Sequence, residues 1–219
     1  MLKNNQVVTG VIKQIDEAHN GVLRIGKDNV YVRYTDLHEE VRVKIVKRIN
    51  SGYIGEIMEI LKPSPYRIKP ECPIYDRCGS CQLMHLNAEG QKKYKNRSIQ
   101  QLCQQVKGLH LKIDDIKTME KPWHYRNKMI IGFQKNKQKR IQAGFYEEFS
   151  HRIIPYKKCL LHPEICDQII QSIVELMESM RIEPYDEDKR RGLIRHVLIR
   201  YGEATKQIMV VLVINQQVF

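Results

Sequence analysis

Glu71-Cys72-Pro73-Ile74-Tyr75-Asp76-Arg77-Cys78-Gly79-Ser80-Cys81-Gln82-Leu83 sets three cysteines in a C-x5-C-x2-C spacing. Gly79 and Ser80 put two thiols on one tight loop, so Cys78 and Cys81 can face one centre, and Cys72 closes a longer loop onto it. A fourth soft ligand must then come from elsewhere. Cys103 falls in a helix-permissive stretch and Cys166 on an apolar helix, where a free cysteine serves as a small hydrophobe. Cys159 precedes Pro163 on a loop, beside Lys157 and Lys158, whose charge favours a thiolate, and is the better choice. Iron–sulfur clusters take four such thiolates. Zinc accepts the same set, although its ligands more often come as two C-x2–4-C pairs and the second pair is absent here. The residues alone leave both open.

Upstream of this loop, residues 1–61 read as short strands separated by turns. Val7–Ile15, Gly21–Ile25, Val30–Tyr34, Val41–Ile49 and Tyr53–Ile60 are β-branched or aromatic runs with partial alternation, and Asn20-Gly21, Lys27-Asp28-Asn29 and Asn50-Ser51-Gly52 supply turn chemistry. Five short strands without a helix signal predict a small OB-like β-barrel. Gly52 and Gly55 form a GxxG, but at a hairpin with no flanking helix it is not a phosphate clamp. Lys62-Pro63-Ser64-Pro65 reads as a stiff linker, which divides the chain into a barrel over 1–61 and a second domain over 62–219.

The second domain mixes helix and strand. Asn87–Val106 is polar and helix-permissive, and Pro163–Met180 carries Ile165, Ile169, Ile170, Ile173, Val174, Met177 and Met180 on one helical face. Strands are expected at Lys128–Phe133, Ile141–Tyr146, Leu193–Tyr201 and Gln207–Asn215. The last of these reads as a buried strand with only a few residues after it, so the chain is expected to be cut short. The overall class is α+β.

The 219 residues carry a formal charge of +12. Residues 1–61 hold 9 basic and 8 acidic side chains, whereas 62–219 hold 28 and 17. The stretch 121–158 has 10 basic residues against Glu147 and Glu148. A field of that sign attracts polyanions, and nucleic acid is the commonest in the cytoplasm. Membrane insertion is excluded by the lack of any apolar run near ~20 residues. The first ten residues lack a signal-peptide stretch, so a cytoplasmic chain with reduced thiols is expected. Conventional catalytic motifs are missing: there is no GxGxxG, P-loop or HExxH. His85, His110, His124, His151, His162 and His196 are scattered without partner spacing, and the carboxylate pairs Asp114-Asp115 and Glu147-Glu148 read as turn or surface charges.

The order of these features, with Pro63–Leu86 around the cysteines and Pro122-Trp123-His124-Tyr125-Arg126-Asn127-Lys128 beyond them, resembles the N-terminal half of the RNA 5-methyluridine methyltransferases. Gly192-Leu193-Ile194-Arg195-His196 also matches a motif of that family. The resemblance implies a TRAM domain for the barrel and a 4Fe–4S cluster held by Cys72, Cys78, Cys81 and Cys159. It also implies structured RNA as partner, 23S rRNA before tRNA, and a monomer. S-adenosylmethionine would belong to a C-terminal Rossmann-like domain that this chain lacks, so no catalytic residue is assigned and the chain alone is expected to be inactive. Tyr125, Arg126, Lys128 and Arg195 are the expected RNA contacts, and Tyr125 and Phe133 are each either a stacking partner or core packing on the central sheet. The alternative is a non-catalytic RNA-binding module with structural zinc in the same cysteines. A radical iron–sulfur enzyme is disfavoured by the C-x5-C spacing, the remote Cys159 and the barrel's N-terminal position.

Overall fold

Alternation of buried and exposed residues closes the first five strands on themselves. In the computed structural model, which describes residues 1–106, 114–147 and 150–215, β1 (Val7–Ile15), β2 (Gly21–Ile25), β3 (Asp28–Val32), β4 (Glu40–Ile49) and β5 (Gly52–Lys62) form a closed barrel in the order β1-β2-β3-β5-β4. His110, Glu148 and the final Gln216–Phe219 lie outside the described residues. All pairings in the barrel are antiparallel except β3 with β5. Ile12, Leu23, Val30, Val32, Val41, Val43 and Ile45 point inward and are almost fully buried. Gly26, at φ 59°, opens the two-residue β2–β3 turn, one position earlier than the Lys27-Asp28-Asn29 signal suggests.

Gly52 and Gly55 owe their place to packing. A Cβ on Gly55 would stand 2.3 Å from Val43 Cγ1, and one on Gly52 would stand 2.3 Å from the Asn29 carbonyl oxygen. Neither glycine sits at the start of a helix, in keeping with the rejected phosphate clamp.

Contacts divide the chain elsewhere than at residue 61. One unit comprises Met1–Glu71 with Gln82–Thr118, and the other Cys72–Cys81 with Met119–Phe219. The reason is that the expected linker is pinned to the barrel. Glu39, fully buried, accepts from the Asp36 and Ser64 main-chain N–H groups and forms a two-pronged ion pair with Arg67. Ser64 Oγ donates to Asp36 Oδ2 at 2.6 Å. Leu86 and Tyr94 then join the barrel core, Tyr94 from α1 (Ala88–Gln104), whose first turn is capped by the Asn87 side chain accepting from the Gly90 N–H.

The second unit is built on an antiparallel sheet, β10-β9-β6-β7-β8, from β6 (Lys128–Lys135), β7 (Ile141–Tyr146), β8 (Ile153–Pro155), β9 (Ile194–Tyr201) and β10 (Ile208–Ile214). α2 (Glu164–Ser179) packs on it, burying Cys166, Ile170 and Met177 with Met129, Ile131, Phe133, Val197 and Ile199. Phe133 is thus core, 3% exposed, which removes it as a stacking partner. β10 corrects another expectation. It is an edge strand, and Ile208 through Leu212 are 37–48% exposed rather than buried, because nothing among the described residues covers the faces on which these side chains stand. Among the described residues no helix is long and apolar enough to cross a membrane.

Candidate metal centre

The cysteine loop folds within the second unit through its own main-chain turns. The Tyr75 N–H donates to the Cys72 carbonyl at 3.2 Å and the Cys78 N–H to the Ile74 carbonyl at 2.8 Å. Cys78 is buried against the sheet core and bridges to Glu147, just beyond β7. Cys159 comes from the stretch between β8 and α2 and is half-buried, as are Cys72 and Cys81. The four thiols are close enough to act on one another. Burial, then the negative charge available at Cys78 and Cys159, pushes Cys81 up to about 12, with Arg126 partly offsetting; Cys72 is raised by burial and the same two neighbours.

Cys159 departs from the others. Burial works to raise its pKa, but hydrogen bonds from the His162 side chain and the Leu161 N–H outweigh that and lower it. His162 in turn is held at about 9: burial opposes its charge, and the hydrogen bonds to Asp167 and Cys159 prevail. Two thiols raised by their cysteine neighbours, beside a third that is biased toward thiolate, belong to a set that a cation stabilises, since a coordinated thiol is deprotonated outright. Among the described residues no three His, Cys, Asp or Glu side chains are drawn tightly enough around one point to hold a single ion as they stand. The sequence reading passed over His162 and Asp167. Their spacing follows no helical or strand period, and only the loop's turn into α2 brings them together.

The segment Tyr125–Lys128 rides on the loop that carries Cys159. The His124 N–H donates to the Leu160 carbonyl at 2.8 Å, the Arg126 N–H donates to the Leu161 carbonyl at 2.7 Å, and His124 Nδ1 lies 2.8 Å from the His162 carbonyl. Beside it opens a cleft of about 530 Å³ lined by Ser80, Tyr125, Arg126, Asn127, Lys128 and Ile130. Tyr125 is 52% exposed there. Arg195 is not on this cleft. Its guanidinium pairs with Glu187 at 2.6 Å and lies over the Tyr185 ring, 4.6 Å from its centroid. Arg200, which the sequence reading did not single out, is exposed and sits opposite Lys128 in the β6–β9 register.

The fold of this chain has a counterpart among solved structures. The tRNA (uracil-54, C5)-methyltransferase of Pyrococcus abyssi, in complex with S-adenosyl-L-homocysteine, matches 95% of this chain and 46% of its own with a TM-score of 0.72. At 21% identity the likeness is one of fold. No family model matches. Curated relatives are closer in sequence. Proteins named "uncharacterized RNA methyltransferase" from Clostridium tetani and Halalkalibacterium halodurans are each 34% identical over 97% of this chain and 46% of the relative, and one from Listeria monocytogenes is 34% identical over 99% and 48%. Over nearly its whole length the chain is similar to proteins named RNA methyltransferases, and it spans about half the length of the curated relatives it matches.

Proposed function

We propose that this chain is the RNA-binding and cluster-bearing portion of a cytoplasmic, monomeric, S-adenosylmethionine-dependent RNA (uracil-5-)-methyltransferase acting on 23S rRNA, and that its first unit is a TRAM barrel. The observation that carries the reading is the meeting of Cys159 with Cys72, Cys78 and Cys81 within one unit. The donor set is all sulfur, the set iron–sulfur clusters take, and it lacks the second C-x2–4-C pair that zinc sites more often use, which favours a 4Fe–4S cluster over zinc. Held by Cys72, Cys78, Cys81 and Cys159, such a cluster would tie the cysteine loop to the Cys159 loop. This chain's own residues then bind RNA: Tyr125 offers a ring face for an unstacked base, while Arg126 and Lys128 meet phosphates. Arg195 takes part after leaving Glu187. The methyl donor and the reacting residues are assigned to sequence outside this chain.

Anaerobic purification with iron, sulfide and zinc measured on one sample tests this. A broad visible band near ~400 nm with about four irons per chain, lost in Cys159→Ala, is expected. A colourless protein with about one zinc would overturn the cluster and leave a zinc-stabilised RNA-binding module.

A further inference from the structure

The loop bearing Cys159 has no regular structure of its own, so something else must hold this sulfur against the others. Asp167, in the first turn of α2, is anchored beside Cys166 and Ile170 in the core. Its Oδ2 accepts the Cys159 main-chain N–H at 3.4 Å, and its Oδ1 lies 2.6 Å from His162 Nε2. The imidazole is 1% exposed and confined between rings, at 86° to Tyr156 with centroids 6.2 Å apart and 6.3 Å from the Phe145 centroid. Its remaining nitrogen, Nδ1, is buried and has no oxygen or nitrogen partner, which leaves the Cys159 sulfur as its candidate acceptor. An unpartnered ring nitrogen in a closed pocket costs free energy unless something accepts from it. The Cys159 side chain adjoins this ring, close enough for each to act on the other.

We propose that His162, oriented by Asp167, is a positioning residue for the metal centre: it hydrogen-bonds the Cys159 sulfur and so fixes both how long the cluster is retained and how readily it is reduced. This rests on reading the four thiols as a metal centre. A ligand's outer partner orients it and tunes the metal, and removing such a partner lowers metal affinity about 10- to 100-fold. Hydrogen bonds to the sulfurs are among the factors that set a cluster's potential. A histidine present only for packing would do neither.

The test uses the 219-residue chain purified anaerobically, as wild type, His162→Phe and Asp167→Asn. Phenylalanine keeps the ring between Tyr156 and Phe145 but removes both nitrogens; asparagine keeps Asp167's shape with a weaker acceptor. Iron release to excess chelator is followed by loss of the visible band, and the midpoint potential is measured by dye-mediated titration. Release at least about tenfold faster in His162→Phe, by a smaller factor in Asp167→Asn, with the potential shifted downward in the same order, is the expected result. If His162→Phe does not fold, the Asp167→Asn rate and potential decide alone. Wild-type release and potential in the variants that fold would overturn the role of His162 while leaving the centre intact. Faster release at an unchanged potential would also overturn it, as a packing effect. A wild-type protein without metal would overturn the centre itself, before any variant is compared.

Discussion

Replacing Glu39 with glutamine removes a charge with no exposure to solvent, and the loss can be worked from its partners. The carboxylate accepts from two main-chain N–H groups, Asp36 at 2.9 Å and Ser64 at 3.0 Å, and from the Arg67 guanidinium, itself only 18% exposed. An amide has one acceptor oxygen, so at least one donor loses its partner, a cost of about 1–3 kcal/mol. The stranded guanidinium adds to this, and removing one partner of a buried pair costs about 3–5 kcal/mol in all. Partial exposure of Arg67 places the expected loss near the lower end, about 3 kcal/mol, a large share of the ~5–15 kcal/mol that holds a domain folded. Because the chain folds as two units, a single melting curve does not isolate the effect. Amide hydrogen exchange at Val41, Val43 and Ile45, in the barrel core, reads it directly. Arg67→Met is expected to cost a comparable amount, and the double variant less than the sum by about 1–3 kcal/mol. Costs that add to within about 0.5 kcal/mol would show that the two residues do not act as a pair and would refute the reasoning.

Two further outcomes follow from the same geometry. His85 is buried, and burial, with Arg67 nearby, holds its pKa at about 4, below the ordinary 6.5. As pH falls the unfolded chain takes up this proton first, so stability of the barrel's unit should decline between about pH 6.5 and pH 4, by about 3 kcal/mol in total; a flat stability profile over that window would contradict it. For RNA binding, Arg126→Ala and Lys128→Ala should each reduce the slope of log affinity against log salt by about 1. Arg195→Ala should reduce it by clearly less, because Glu187 already neutralises that side chain, and equal losses at all three positions would refute the assignment of the cleft.

The barrel was legible because its chemistry is local. Val7–Ile15 and Gly21–Ile25 show partial alternation in the sequence and in their burial, and Asn20-Gly21 marks the turn between them. β10 shows the limit of that logic. Ile208–Ile214 was readable as a strand, yet an apolar run does not reveal whether anything covers its faces. The Pro63 and Pro65 signals marked a break in the strands correctly, but Glu39, over twenty residues upstream, ties the break to the barrel. The same holds for Arg195, whose charge is visible in the sequence and whose partners Glu187 and Tyr185 are not. Cys72, Cys78 and Cys81 announce themselves by spacing. His162 and Asp167 become meaningful only once the chain turns from Cys159 into α2.

The cysteine loop interrupts the first unit in the chain but belongs to the second, whose remaining residues begin at Met119. During synthesis, then, three thiols emerge well before the fourth, with 77 residues between Cys81 and Cys159. At about 5–20 residues per second that interval is about 4–15 s. Through it, a three-thiol loop stands without its sheet, its sulfurs open to whatever soft metal or oxidant arrives first. On the proposed reading of these thiols as a metal centre, filling it with the right metal is therefore a matter of timing as much as of affinity, and a chain translated slowly between these two points has longer to acquire the wrong one.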